Sequence, residues 1–456
     1  MSKALANEIR EENKMGVMPI GKLLFSMSVP MMISMLVQAL YNIIDSIFVA
    51  QISEKALTAV SLANPIQMLM IAIGAGTGVG VNALLSRSLG EKNKEKANEV
   101  ARNGIFLALM SYLVFLLVGL FVVKPFFYAQ TTDSEIVEFG IQYLTIVCCC
   151  SFGIYAQFVY ERILQATGRT FHSMITQLIG AITNIVLDPI LIFGLFGMPA
   201  MGVRGAAIAT VIGQVIAGVT ACLMNVYANK DISVNMKGFR PSKSIIVQIY
   251  QIGVPSIIMQ SIGSIMVFCL NKILIVFSTT ATAVFGVYFK LQSFIFMPIF
   301  GMNNGMVPII GFNFGARSKE RMMQTYKLAL ITAICIMSVG VLLFEIFPRE
   351  IFLLFGASDY MLDMGIPALR IIAIHFPIAA YCIVTGSVFQ AVGKAVYSMI
   401  NSICRQIIVL IPVAFLLSQL GNVNYVWFAF LIAEGVSMVL TAIFFRKVYK
   451  EVIITI

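Results

Sequence analysis

The feature that most constrains this chain is its succession of apolar runs, each about 20 to 30 residues long, separated by short charged or Gly/Pro-bearing connectors. Only 11% of the 456 residues are charged and 59% are hydrophobic, whereas an ordinary soluble domain carries about 25% charged residues. There is too little polar surface to cover a globule, so the runs must face lipid. In lipid every backbone amide needs a partner within its own segment or in a closed sheet, which leaves helices or a barrel. A barrel would show alternating segments of roughly 10 residues, and these runs are longer and continuous. The expected class is an all-α integral membrane protein. Taking the breaks in order, twelve transmembrane helices fall near 21–50, 56–85, 99–124, 135–159, 166–196 and 203–228, then 245–277, 281–310, 321–347, 360–387, 392–419 and 423–446. Runs longer than a straight span predict tilts, kinks or protruding ends.

The basic residues set the orientation. Lys3, Arg10, Lys14 and Lys22 precede the first span, and Arg87, Lys92, Lys94 and Lys96 follow the second. The same side collects Arg102, Arg162, Arg169, Lys230, Lys237, Arg240, Lys243, Arg317, Lys319, Arg321, Lys327, Lys394, Arg405, Arg446, Lys447 and Lys450. The alternate connectors hold only Lys55, Lys124, Arg204 and Arg349. The positive-inside rule then predicts that both termini are cytoplasmic. The net charge of +10 belongs to these connectors. It forms no basic stripe interleaved with aromatics, so a nucleic-acid partner is not expected. Residues 1–19 are polar and mixed in charge, and the first apolar run is expected to serve as an uncleaved span. The eight cysteines lack ligand or C-x-x-C spacing and read as small apolar helix residues.

The chain repeats itself. Gln165-Ala166-Thr167-Gly168 recurs as Gln390-Ala391-Val392-Gly393, and Ser173-Met174-Ile175 as Ser398-Met399-Ile400. At the same offset Val29-Pro30 recurs as Val254-Pro255 and Leu89-Gly90 as Phe314-Gly315. Six spans per repeat keep both halves in one orientation. This predicts two pseudo-symmetric six-helix lobes with a central cleft: residues 1–228 with the N-terminal tail, a cytoplasmic linker 229–244, and residues 245–456. Rocking such lobes gives alternating access.

Polar groups at membrane depth are costly and are functional candidates by default. Gln38, Asn42 and Asp45 share one face of the first span, and Gln177, Asn184 and Asp188 one face of the fifth. Thr210 lies in the small-residue stretch Gly205–Thr210 of the sixth, where helices can approach closely. Asp45, Asn184, Asp188 and Thr210 form an all-oxygen set suited to a hard cation, and the two carboxyls would equally hold a proton. Pro189, next to Asp188, and Pro30 are expected to free a backbone carbonyl and to kink their spans. The second half carries Lys272, Lys290, Arg370, His375 and Glu434 instead, with Glu434 expected to pair with Lys290 or Arg370.

These residues resemble the multidrug and toxic compound extrusion (MATE) family, in the style of its MepA-type and DinF-like bacterial exporters. The resemblance rests on Asn184–Pro189 (N-x-x-x-D-P), the twin Q-A-x-G elements, Leu89–Asn93, the span from Pro30 to Asp45 and the six-plus-six repeat. It covers essentially the whole chain. It implies a secondary antiporter that exports amphipathic, often cationic drugs or toxic metabolites in exchange for H+ or Na+. By the same resemblance Asp45, Asn184, Asp188 and Thr210 are the coupling-cation site, with no firm metal site and no cofactor. Gln38 and Gln177 are expected to touch the drug. Localisation in a bacterial cell membrane and a monomeric state are expected. An enzyme is not, since no Ser/His, H-E-x-x-H or nucleotide-binding motif appears. The alternative function is a flippase of lipid-linked or polysaccharide precursors, which would need a strongly basic central cavity built on residues such as Lys272, Lys290 and Arg370.

Overall fold

The structure is a computed structural model, which describes residues 13–456; Lys3 and Arg10, counted above among the basic connectors, lie outside the described residues. Helices account for nearly everything described, and no strand occurs among these residues. The first six spans are α1 (Ile20–Ala50), α2 (Glu54–Gly90), α3 (Lys94–Gln130), α4 (Ser134–Cys149 continued by Phe152–Ala166), α5 (Thr170–Phe193) and α6 (Val203–Tyr227). The second six are α7 (Lys243–Leu274), α8 (Thr279–Gly315), α9 (Lys319–Ile346), α10 (Asp359–Ala373 continued by Phe376–Ala391), α11 (Ala395–Ser418) and α12 (Val423–Ile453). Counting each bent pair as one span, twelve helices among the described residues are long and apolar enough to cross a membrane.

The two halves repeat each other down to their turns. Ser53 caps α2 with φ −171° and ψ 162°, accepting from the Ala56 amide, and Ser278 caps α8 with φ −171° and ψ 161°, accepting from the Ala281 amide. Both helices run for 37 residues. Both end in a turn that puts a basic residue in the left-handed region, Lys92 at φ 56° and Arg317 at φ 55°. The breaks correspond as well: α4 bends by 45° and α10 by 47°. In α10 the break coincides with Pro377, which cannot donate to the preceding turn.

The Q-A-x-G elements end helices rather than lie within spans, which corrects the expected boundary at 166. Gly168 and Gly393 sit at φ 84° and 80°, and the following amides, Arg169 N and Lys394 N, close back onto Leu164 O and Phe389 O at 2.8 and 2.7 Å. This is a glycine C-cap, and a side chain at either glycine would be strained.

Between the lobes, contact is made by glycines on backbone. A Cβ on Gly76 would stand 2.9 Å from Ile257 N of α7; one on Gly301 would stand 2.7 Å from Met32 N, and one on Gly305 2.8 Å from the Met27 carbonyl, both on α1. Gly90 of α2 lies against the Phe312 carbonyl, and Gly315 of α8 reciprocally against the Arg87 carbonyl. That reciprocity marks a pseudo-two-fold axis passing between the ends of α2 and α8. All these contacts lie toward the end that carries the basic connectors, so the lobes are closed there.

The segment before α1 reinforces that closure. A short helix, Lys14–Val17, is capped by Asn13, whose side-chain amide donates to Thr167 O of the first lobe at 3.2 Å. In the second lobe Asn313 donates to Met15 O at 3.2 Å, and Arg321 donates to Met15 O and Met18 O at 3.1 and 2.7 Å. Met15 is fully buried between them. One turn of helix thus straps the two lobes together.

Candidate functional site: two polar cavities of opposite character

The first-lobe site is built by close helix approach. Gly180 of α5 and Gly213 of α6 lie face to face, a Cβ on Gly213 standing 2.8 Å from Gly180 O, and Gly205 sits equally tight on the Leu191 carbonyl, 2.5 Å from such an atom. This contact brings Thr210 to Asn184, whose Nδ2 donates to Thr210 Oγ1 at 3.3 Å and to Asp188 Oδ1 at 3.4 Å. Asn184, Asp188 and Thr210 are all buried, and Asp188 is fully so. From α1 the Asp45 carboxyl comes within hydrogen-bond reach of the Asp188 carboxyl. Tyr41, one turn before Asp45, puts its hydroxyl against Thr210.

Asp45 Oδ1, Asp188 Oδ2 and Asn184 Oδ1 are buried, and none receives a hydrogen bond from a protein group among the described residues. Neither carboxyl has a cationic side chain in ion-pair contact among the described residues. Two facing carboxyls that are both ionised repel each other in low dielectric. The pair is at ease only with a shared proton or with a cation among these oxygens, and Asn184 and Thr210 supply the neutral ones.

Beside this site lies a small cavity of about 100 Å³ lined by Gln38, Tyr41, Gln157, Glu161, Gln177 and Thr210, among others. Gln38 and Gln177 both reach it. Glu161, overlooked in the sequence because it adjoins Arg162 near the end of its span, is its buried carboxylate. Gln177 Nε2 donates to Glu161 at 2.7 Å, Gln157 Nε2 at 3.0 Å and Thr176 Oγ1 at 3.1 Å. The signal available in the sequence was helical spacing: Gln157 and Glu161 are four apart on α4, as Tyr41 and Asp45 are on α1.

The second lobe holds a different arrangement. A cavity of about 490 Å³ opens between α7, α8, α10, α11 and α12, with Asn82 and Arg162 reaching it from the first lobe. Its carboxylate is Glu434, and the expected partners of Glu434 are wrong. Lys290 and Arg370 are exposed, and Arg370 instead lies 3.7 Å from Glu345 at the surface. Glu434 is paired with Arg405, whose Nη1 donates to its two oxygens at 3.3 and 3.2 Å. By its place in the sequence Arg405 reads as one of the cytoplasmic connector cations. A π-helical turn at Cys404–Leu410 carries it, and such a turn shifts the register of the following face of a helix. Arg162, likewise assigned to a connector, donates to Asn304 of α8 at 2.9 Å and to Gln165 at 3.0 Å. Lys272 is exposed over the Phe268 ring. The cations that a basic-cavity flippase was expected to use are thus not in the cavity.

Comparison with known proteins agrees with this architecture. The MatE family model matches twice, over residues 30–190 and 255–416, one match per lobe. The chain is 29% identical over 418 residues to the multidrug export protein MepA of Staphylococcus haemolyticus, covering 91% of each, and 27% identical to that of Staphylococcus aureus, again covering 91% of each. Among solved structures it superposes on a MOP superfamily transporter from Pyrococcus furiosus with a TM-score of 0.89 at 27% identity, covering 96% of this chain and 97% of that one. It superposes equally well, at 28% identity and the same coverage, on a multidrug resistance MATE family transporter in an outward-facing conformation. The repeat, the two lobes and these matches lead to one conclusion: this multi-pass membrane protein belongs to the MatE family, the multidrug and toxic compound extrusion transporters.

Proposed function

We propose that this chain is a cation-coupled antiporter of a bacterial cell membrane that exports amphipathic, often cationic drugs or toxic compounds in exchange for H+ or Na+. In this reading it is a monomer without enzymatic activity, both termini are cytoplasmic, and residues 1–228 and 245–456 rock about the linker 229–244. The observation that carries it is the Asp45–Asp188 pair: two carboxyls in contact, Asp188 fully buried and Asp45 half-buried, with unfilled acceptor oxygens and no basic side chain among the described residues to neutralise them. With the cleft facing inward, drug enters while the pair lacks its coupling cation. After the lobes rock outward, a proton or Na+ settles among Asp45, Asp188, Asn184 and Thr210. The faces of α1 and α5 tighten, and the drug contacts of Gln38 and Gln177 in the neighbouring cavity are lost. Coupling follows because the two ligands prefer different arrangements of the same helices. With the basic connectors inside, the lobe contacts at Gly76, Gly90, Gly301 and Gly305 close the cytoplasmic end, so this conformation faces outward.

The test is efflux of an ethidium-like cation from membrane vesicles under a proton gradient or a sodium gradient, each imposed alone. One of the two gradients is expected to drive export, and Asp45→Asn is expected to abolish it while the protein still reaches the membrane. Full efflux in that variant would sink the mechanism.

A further inference from the structure

Two consecutive residues of α4 send opposite charges into different cavities. Glu161 faces the small first-lobe cavity, and Arg162 faces the large central one. Arg405 also faces the central cavity, where Glu434 is the one carboxylate among the lining residues. Two guanidiniums therefore stand against a single carboxylate that is already neutralised. A cation placed there alone would meet net repulsion, so the cavity asks for a ligand with negative charge as well.

The geometry of the ion pair says where that charge would sit. Arg405 approaches Glu434 end-on, through Nη1 alone. Its Nε and Nη2, the edge that binds planar carboxylates with two parallel hydrogen bonds, make none with the described residues. Neither nitrogen is buried without a partner, and the Arg405 side chain is 24% exposed while that of Glu434 is 5% exposed. The free edge therefore opens onto the cavity. The same cavity is lined by the neutral hydrogen-bonding groups of Gln260, Gln292 and Gln406, together with Phe289 and Phe296 for an aromatic body. The volume of about 490 Å³ is that of a small-molecule site.

We propose that the central cavity holds a carboxylate-recognition site for aromatic amphiphiles that carry a carboxylate, formed by the free edge of Arg405 with Arg162 reaching the same cavity from the first lobe. That the bound molecule is cargo rests on the export reading above; the site itself does not. The site makes the second lobe the selector for the anionic end of a substrate, while the first lobe handles the coupling cation.

The experiment is calorimetric binding of a matched pair, 4′-(aminomethyl)biphenyl-4-carboxylic acid and its methyl ester, to the purified full-length protein in detergent. The wild-type protein is expected to bind the zwitterionic acid about tenfold or more tightly than the cationic ester, as suits one charge-assisted bidentate contact. The neutral pair Arg405→Gln/Glu434→Gln is expected to bring that ratio to about one, and Arg162→Gln to lower it less. Glu434→Gln alone is expected to raise the ratio, because Arg405 then has no internal competitor. Equal wild-type affinities, binding of neither compound, or a ratio unmoved by the double substitution would overturn the site. The wild-type ratio needs no variant to fold. Vesicle efflux is scored separately: an acid preference without export removes the export reading and leaves the site standing.

Discussion

The two lobes share helices, caps, breaks and glycines, yet they solve the problem of buried charge in opposite ways. In the first lobe Asp45 and Asp188 face each other without a counter-ion, so something mobile must neutralise them. In the second lobe Glu434 is neutralised by Arg405, which is covalently part of the chain. A mobile neutraliser can carry free energy across a membrane, whereas a fixed one can only position. In the proposed reading the duplicated scaffold places a coupling chemistry on one side of the cleft and a recognition chemistry on the other.

The comparison can be broken first at the carboxyl pair. Asp188→Asn, like Asp45→Asn, is expected to reduce gradient-driven drug efflux to the level of empty vesicles. Its unfolding temperature in detergent should stay or rise, since a carboxyl conflict is removed. In the second lobe the same kind of change should have the opposite sign on stability. Arg405→Gln leaves the buried Glu434 without a counter-ion and should cost about 3–5 kcal/mol by thermal unfolding. Glu434→Gln should cost less, because Arg405 is partly open to the cavity, and neutralising both together should recover most of the loss. If both lobes lost stability alike on losing a carboxyl, the contrast between mobile and fixed neutralisation would be wrong.

A smaller effect is expected at the strap. Arg321→Ala removes donors to Met15 O and Met18 O and should weaken closure at the basic end by about 1.5–3 kcal/mol. Spin labels across the ends of α2 and α8 would read this as a new, longer distance. The least effect belongs to the opposite end, where Lys55 clasps Asp133 and Glu135 at 3.1 and 2.8 Å on an exposed surface. The hydrogen bond from Lys55, then the Ile136 amide, holds the Asp133 carboxyl below its ordinary range. Its folded value is lowered, so its contribution is present above the unfolded pKa and fades as pH falls through the folded one. Lys55→Ala should leave the unfolding temperature at neutral pH unchanged within error, as exposed pairs usually do.

What the sequence determined by itself was set by solvent and by period. Long apolar runs in a chain with few charges dictate spanning helices, and alternation of basic connectors predicts their direction. A fixed-offset repeat dictates two like lobes. Asp45 and Asp188 stood out for the same reason, since a carboxylate amid twenty apolar neighbours is costly wherever the helix packs. The repeat also carried a signal that went unread: Gly76-x-x-x-Gly80 recurs at the same offset as Gly301-x-x-x-Gly305, and these glycines make the lobe contact.

Only the tertiary structure decided which charges meet. Arg162, near a span end, and Arg405, well inside its run, both read as connector cations, while Lys290 and Arg370 read as partners for Glu434. Arg162 and Arg405 both reach the central cavity, Arg405 on a π-helical turn of α11 and Arg162 on the part of α4 beyond its bend. Hydrophobicity averages over a window and records depth, but it is blind to the azimuth of a side chain about its helix. Azimuth is fixed by neighbours, here by glycines that let α5 meet α6 and one lobe meet the other. For that reason the identity of the spans was legible in the chain, and the pairing of Glu434 with Arg405 was not.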